Sequence, residues 1–462
     1  MANTIQTISP IDNSIYVQRA YASSKSIDTA LELASRSQKK WKATPLSIRK
    51  ELCTKFVDAF VAKSDTIAEE ICWQMGRPIR SAAGEVAGLA ERSRAMIKLA
   101  ESGLSPIKLE EKEGFQRWIQ REAIGVVFVV APWNYPYLTA INAILPAILA
   151  GNTVVLKHSA QTPLCAERLY EAFTAAGLPE GVFQYLHLSH QETEKVIQDE
   201  RINHIAFTGS VSGGEMVEKT AAGRFIGLGL ELGGKDPAYV RADADLAHAV
   251  DTTMDGAFYN SGQSCCGIER IYVHESVYEA FLQQAVAWVK NLTLGRSDNP
   301  ETTLGPVVRA SAADFVRQQT REAIDQGAIA HIDERDFPEA QEKGTYLAPQ
   351  ILSNVNHSMR LMTEESFGPV VGVQKVTSDI EAINLMNDSD YGLTASIFTT
   401  DIDQGIALGQ QVETGTFFLN RCDYLDPELA WTGIKNSGHG CTLSILGYET
   451  LTRPKSFHIK IV

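Results

Sequence analysis

Read as hydrophobic and polar positions, the chain divides into two unlike parts. From about Ser26 to Ser102 apolar residues recur near helical spacing: Ala30, Leu33, Ala34 and Trp41, then Phe56, Phe60, Ile67, Ile71 and Met75. Gly76-Arg-Pro78 is expected to end one of these helices and Gly103 another. This part reads as scaffold and is assigned no chemistry. From Ile124 the pattern changes. Ile124–Val130 is a continuous apolar run of the kind that a parallel sheet buries on both faces. A helix is predicted over 138–149, a strand over 153–157, and a second helix from Pro163, a residue favoured in a first helical turn, to Ala176. Strands over 182–186, 202–207 and 225–230 follow, with helices near 193–198 and 213–221. The alternation predicts an α/β fold with a doubly wound parallel sheet, whose ligand crevice lies at the carboxyl ends of the strands. After Gly234 a second α/β domain is expected, with a strand over 271–273 and a helix over 277–292. Phe115–Arg121 and Ser456–Val462 alternate in character as half-buried strands do.

Three stretches on this frame carry chemistry. Phe258–Arg270 places Cys265 and Cys266 after a flexible Gly-Gln-Ser turn. A thiol is already partly thiolate at neutral pH and is intrinsically nucleophilic, although a lone cysteine is more often an inert small hydrophobe. Leu230–Pro237 sets Glu231 among apolar residues before two glycines, where burial would raise its pKa toward the range of a general base. Ala131–Pro136 holds Asn134, an amide donor, between two restricting prolines. Nucleophile, base and fixed donor together describe acyl chemistry through a thioester. No Gly-x-Gly-x-x-Gly follows the first strand of the sheet, so the Rossmann fingerprint is absent. Thr208–Gly214 does follow a strand and open a helix, and could meet a phosphate or serve as an ordinary turn and N-cap.

Composition acts mainly by exclusion. At 462 residues the chain suggests two or three domains, and a net charge of −14 argues against a nucleic-acid partner. Seven scattered cysteines do not form a disulfide framework. The start of the chain, Met1 to Pro10, lacks a signal-peptide pattern. The most apolar region, 124–156, is broken by Pro132, Asn134, Pro136, Asn142, Pro146 and Asn152, and cannot be an uninterrupted membrane span. A cytoplasmic location is expected.

Seven segments in order resemble the aldehyde dehydrogenase superfamily: Pro132–Pro136, Lys157, Phe207–Ser210, Glu231–Gly234, Gly262–Cys265, Glu365–Pro369 and Lys435–Gly438. The resemblance covers nearly the whole chain. It implies a Rossmann-like cofactor domain over 1–107 and 124–232, a catalytic domain over 233–440, and oligomerisation or bridging segments over 108–123 and 441–462. It further implies a homodimer or homotetramer in which the projecting hairpin pairs with the C-terminal strand of another subunit. By resemblance Cys265 is the nucleophile, Glu231 the base and Asn134 the oxyanion donor, and no metal takes part. NAD or NADP would be held by Trp133, Lys157, Gly209, Ser210, Gly214, Leu232, Glu365 and Phe367, with Ser210 at the pyrophosphate, Lys157 at the adenosine ribose and Glu365 at the nicotinamide ribose.

The implied reaction oxidises an aldehyde to its carboxylic acid. Tyr137, Leu138, Ile141, Ser264, Cys266, Tyr424, Leu425 and Trp431 would make a largely apolar pocket, while Arg421 could anchor a substrate carboxylate or pair with Asp423. Three positions depart from better-known members. Ala160 stands where NAD-preferring relatives often have glutamate, Ala143 where many hydrolytic relatives have lysine, and Cys441-Thr442 replaces a second acidic site after Gly440. The alternatives are an acylating enzyme that passes the acyl group to coenzyme A and, in another class, a cysteine hydrolase.

Overall fold

The computed structural model describes residues 4–462, so the parts of the N-terminal readings that rest on residues 1–3 lie outside it. The first sheet is built on Val126–Ala131, an all-buried run as its apolar sequence requires. It is flanked by Thr153–His158 and Phe183–Tyr185 on one side and by Ile202–Thr208 and Gly227–Glu231 on the other, all parallel. A two-residue strand, Gly438–His439, closes the edge antiparallel to Gly227–Glu231. The chain therefore reverses its winding at Val126–Ala131, and the crevice expected at such a switch point opens above it. Gly227 and Gly229 lie within a strand, not in a nucleotide-binding turn.

The second sheet contains Gln350–Ser353, Val370–Val376, Ile268–His274, Asp236–Val240, Thr394–Phe398 and Thr416–Leu419 in that spatial order, all parallel, with Ile329–Ala330 antiparallel at one edge. Between the sheets and the N-terminal helices Ser24–Trp41, Leu46–Val61, Ser64–Met75 and Gly84–Leu104 lies the largest apolar core, centred on the buried helix Pro136–Ala150. Gly76 ends its helix in the left-handed region, as expected. Gly103 stands one residue before its helix ends at Leu104. It lies inside Gly84–Leu104, where a Cβ would come within 2.5 Å of the Tyr448 ring, so close packing selects it. An N-terminal hairpin, Thr4–Ile8 with Ile15–Ala20, was not anticipated, and the Thr345 and Tyr346 hydroxyls donate to Pro10 O and Ile11 O just beyond its first strand.

The third sheet corrects the expectation of intersubunit pairing. Phe115–Ala123 pairs antiparallel with Thr452–Lys460 of its own chain, from Phe115 opposite Lys460 to Ala123 opposite Thr452. The cause lies in the preceding segment. Tyr448 packs on Gly103, and Asn152 Nδ2 donates to Leu451 O at 2.8 Å, which delivers the last strand to the base of the hairpin. Trp118 then stacks on Phe457 at 4.5 Å. Among the described residues no helix is long and apolar enough to cross a membrane.

Candidate active site

The loop that carries Cys265 begins where helix Leu246–Phe258 stops. Asn260, Ser261 and Gly262 follow with φ of 53°, 58° and 71°, a left-handed run that non-glycine residues adopt only when held. They are held. Asn260 Nδ2 donates to Asn134 O and Gln263 O, and Ser261 Oγ donates to Gly305 O at 2.8 Å. A Cβ on Gly262 would lie 2.2 Å from Gly368 O, so glycine is required there. Gln263 is clamped at both ends of its amide, donating to Asn260 O and accepting from Val308 N–H. The chain then delivers Ser264, Cys265 and Cys266 to a cavity of about 440 Å³ that Glu231 also lines.

The two thiols differ in surroundings. Cys265 is half-buried and lines the cavity. Cys266 is buried and its Sγ–H donates to Asp423 Oδ1 at 2.8 Å. Its contact with Cys265, burial and the Asp423 charge push Cys266 well above the usual thiol range, so it stays protonated. Burial pushes Asp423 itself up to about 7.

Asn134 is buried, with Nδ2 donating to Gln263 O at 3.3 Å, and so is tied to the peptide two residues before Cys265. Glu231 ends strand Gly227–Glu231 and is gripped by two hydroxyls, Thr208 Oγ1 at 3.1 Å and Thr442 Oγ1 at 2.6 Å. Burial raises its pKa, and the two hydrogen bonds and the Arg92 charge only partly offset that. Thr442 stands at one of the positions where the sequence departs from its resemblance. A hydroxyl there binds the carboxylate directly.

The expected cofactor residues gather at the carboxyl ends of the first sheet. Lys157 is half-buried near the end of Thr153–His158, and burial pulls its ammonium down to about 8. Ser210 caps helix Val211–Ala221, accepting from Gly213 N–H, and remains exposed. Gly209 could not carry a Cβ without striking Phe207 at 2.7 Å, and Gly214 lies against Leu232, which a Cβ would meet at 2.6 Å. Trp133 meets Phe367 edge-on at 5.6 Å. Glu365 accepts from Gly234 N–H at 2.9 Å, and burial with the nearby Glu269 charge pushes it up to about 8. Glu269 fixes the neighbouring turn by accepting from the N–H groups of Ser366 and Phe367, and is itself paired with Lys235 at 2.6 Å. A helix N-terminus with an exposed hydroxyl and an ammonium with no acidic partner among the described residues are groups that could meet a dinucleotide's phosphate or ribose, and the Glu365 carboxyl could accept from a ribose hydroxyl. His158 takes no part, because Nε2 meets Pro136 O and Nδ1 accepts from Ser159 N–H and Thr162 Oγ1.

Around the cavity, Leu138, Ser264, Cys266, Tyr424, Leu425 and Trp431 lie as expected, whereas Tyr137 and Ile141 do not. On helix Pro136–Ala150 the positions 138, 139 and 142 face the cavity, and 137 and 141 turn into the core. Arg421 is exposed with its guanidinium 3.7 Å over the Tyr424 ring, so it neither reaches the cavity nor pairs with Asp423. Two cations do line the cavity: Arg77, paired with Glu85, and Arg92, 8% exposed, with Nη1 bound to Leu138 O and Asn142 Oδ1. Sequence reasoning missed Arg92, together with the Arg77–Glu85 pair and the hold of Thr208 and Thr442 on Glu231. A signal existed: Gly84, Glu85, Gly88, Glu91 and Arg92 share one helical face, and two glycines on such a face invite close approach. A Cβ on Gly88 would meet Leu138 at 2.6 Å.

A family model described as "Aldehyde dehydrogenase family" matches residues 1–457. The chain is 33% identical over 452 residues to a succinate semialdehyde dehydrogenase [NAD(P)+] of Escherichia coli, covering 96% of each. A probable betaine aldehyde dehydrogenase of Schizosaccharomyces pombe is 32% identical, covering 98% of this chain and 91% of the relative. The solved structure of succinic semialdehyde dehydrogenase from Streptococcus pyogenes with NADP+ superposes with a TM-score of 0.94 at 30% identity, covering 99% of this chain and 100% of that one.

The Thr442 contact has a measurable consequence. Its hydrogen bond favours the charged form of Glu231, so Thr442→Val raises the Glu231 pKa further. For Glu231 in the role of base that the resemblance implies, only the deprotonated form works, so the acid limb of the turnover–pH profile shifts to higher pH. Turnover at pH 6 falls more than turnover at pH 8, as steady-state kinetics across that range would read.

Proposed function

The chain belongs to the aldehyde dehydrogenase family, and from that premise we propose that Cys265, Glu231 and Asn134 carry its reaction. The enzyme oxidises an aldehyde to its carboxylic acid with NAD(P)+. The observation that carries the residue assignment is the shared cavity, with an accessible thiol on one wall and a hydroxyl-held carboxylate on another. Cys265 attacks the carbonyl carbon as thiolate, forming a C–S bond and leaving the former π pair on oxygen. The Asn134 amide and the Cys265 N–H hold that oxyanion, and one such donor is worth roughly 2.7–4 kcal/mol. A bound nicotinamide supplies the hydride acceptor that turns the adduct into a thioester. Glu231 then takes a proton from water as the water oxygen attacks the thioester carbon. The C–S bond breaks and Cys265 departs as thiolate. A carboxylate held in place by two hydroxyls supports water, rather than coenzyme A, as the acyl acceptor. No histidine lines the cavity, which speaks against a cysteine hydrolase.

Lys157, Ser210 and Glu365 would hold the dinucleotide, with Gly209, Gly214 and Leu232 shaping its bed and Trp133 and Phe367 placed toward the ring end. The three sheets support the division into a cofactor unit (1–107, 124–232), a catalytic unit (233–440) and bridging segments (108–123, 441–462). Among the described residues the outer edges of Thr452–Lys460 and Thr416–Leu419 carry no partner strand, which supports a homodimer or homotetramer built by edge pairing. Seven unbridged cysteines support a reducing compartment.

For the substrate we infer a short aldehyde bearing a distal carboxylate. Arg77 is neutralised by Glu85 at 2.9 Å, whereas Arg92 forms no ion pair with a carboxylate among the described residues and uses only Nη1 on protein acceptors. The Escherichia coli and Streptococcus pyogenes relatives are named for such a substrate.

Three measurements test this reading. Cys265→Ala abolishes oxidation, whereas Cys266→Ala keeps turnover within about tenfold, or 1.4 kcal/mol; substantial activity in the first variant would remove Cys265 as the nucleophile. Arg92→Met lowers kcat/KM for succinate semialdehyde at least tenfold more than for hexanal, and equal losses on both would exclude a carboxylate contact. At the cofactor, Ala160 is exposed and offers no side-chain carboxylate to ribose hydroxyls or against a 2′-phosphate. Both cofactors are therefore used, and Ala160→Glu shifts kcat/KM toward NAD through lost NADP use.

A further inference from the structure

Cys265 is aimed by its neighbours. Among the described residues its thiol has no hydrogen-bond partner on another element, and its contact is with the Cys266 thiol beside it. Upstream the loop is fixed at Gln263, and downstream strand Ile268–His274 begins. Between those anchors lie Ser264, Cys265 and Cys266, and the side chains on either side of Cys265 converge on one atom. Asp423 Oδ1 accepts from Ser264 Oγ at 3.3 Å and from Cys266 Sγ at 2.8 Å. An ionised acceptor holds such donors more firmly than a neutral one.

Asp423 can serve as a fixed point because the segment that bears it is itself seated. Asn420 and Asp423 have φ of 57° and 44°, a left-handed backbone that has to be held in place. Asn420 exchanges two bonds with Thr399, just past strand Thr394–Phe398: Nδ2 donates to Thr399 O and Oδ1 accepts from Thr399 N–H, each at 2.9 Å. Helix Leu246–Phe258 supplies the rest from a single face, at positions 248, 252 and 256. His248 Nε2 donates to Asn420 O at 2.8 Å, and Thr252 O accepts from Cys422 Sγ at 3.2 Å. Gly256 leaves room for the same thiol, since a Cβ there would lie 2.5 Å from Cys422 Sγ. The Cys265 loop leaves the end of that same helix. One rigid element therefore carries both the thiol and the carboxylate that brackets it.

We propose that Asp423 is a positioning residue for Cys265, holding the residues on both its sides so that the sulfur meets the carbonyl carbon in line for attack. The inference rests on the reading of Cys265 as the nucleophile. In that step the C–S bond forms and the carbonyl π pair moves to oxygen, and a misplacement of about 1 Å can cost roughly 100-fold. Asp423 acts through Ser264 and Cys266 and makes no bond to Cys265 itself. Its loss therefore slows the directed attack on an aldehyde and leaves the thiol free to react with a small reagent that needs no fixed approach.

The test compares aim with reactivity, using hexanal, a neutral substrate that the Asp423 charge does not steer. Stopped-flow absorbance reads reduced cofactor in the first turnover at saturating hexanal and NAD+. Alkylation by iodoacetamide, located by peptide mass spectrometry, reads the reactivity of Cys265 with neither aldehyde nor cofactor present. Asp423→Leu lowers the first-turnover rate about tenfold or more and leaves Cys265 alkylation within about threefold. Asp423→Asn, whose amide oxygen still accepts from both neighbours, recovers most of the loss. The double variant Ser264→Ala/Cys266→Ala reproduces the loss, and adding Asp423→Leu to it lowers the rate no further, as expected of groups acting as one unit. Undiminished first turnover in Asp423→Leu overturns the proposal. So does an Asp423→Asn variant as slow as Asp423→Leu, or a triple variant in which the losses multiply. First turnover retained in Cys265→Ala would remove the nucleophile reading, and this proposal with it. An inactive Cys265→Ala beside a normal Asp423→Leu leaves the nucleophile standing and shows the positioning role to be wrong.

Discussion

The arrangement at the active site depends on one buried ion pair. Arg77 is 1% exposed and Glu85 0%, and their side chains meet at 2.9 Å. The guanidinium also donates to Asn134 O at 2.6 Å and to Asn260 Oδ1 at 3.2 Å, and lies 4.5 Å over the Tyr135 ring. The second oxygen of Glu85 accepts from Tyr137 and Leu138 N–H, in the first turn of the central helix Pro136–Ala150. The Asn134 loop, the Cys265 loop and the central helix are thus pinned to one scaffold helix through a planar cation and its carboxylate. Burying such a pair brings little net stability, but removing one partner costs about 3–5 kcal/mol, because the other is left buried and unpaired. Its value is therefore geometric. It fixes the approach of Asn134 to the loop that carries Cys265.

Environment, not chemistry, separates the two adjacent thiols. Both have the same intrinsic reactivity, yet Cys266 donates to a buried carboxylate and is held protonated, while Cys265 faces the cavity. The left-handed run Asn260-Ser261-Gly262 lies just ahead of both thiols in the same loop. That strain is over-determined by the bonds of Asn260, Ser261 and Gln263, the condition under which such backbone persists at a functional site. The same principle applies to Glu231, where burial favours the neutral acid and two hydroxyls that each stabilise the anion offset it in part.

Much of this was legible in the chain itself. The apolar run at Val126–Ala131, the alternation of strands and helices after it, and the order of the Cys265, Glu231 and Asn134 segments depend on local pattern and short motifs, which sequence records directly. The glycines were legible as special positions but not in their reasons: Gly76 caps a helix, whereas Gly103 makes room for Tyr448 from the far end of the chain. What sequence could not supply were contacts between distant segments. Arg92 reaches Asn142 across two helices, Thr442 reaches Glu231 across 211 positions, and the last strand pairs with Phe115–Ala123 in one chain rather than across two. Helix phase likewise sent Tyr137 and Ile141 to the core and Leu138 to the cavity. Periodicity and motif thus determined which elements and reactive groups exist, because those follow from neighbours along the backbone. Only packing decided which thiol is buried, which arginine in the cavity wall is left without a carboxylate partner and which hydroxyls hold Glu231, because each depends on side chains that meet only after the sheets and helices have closed around them.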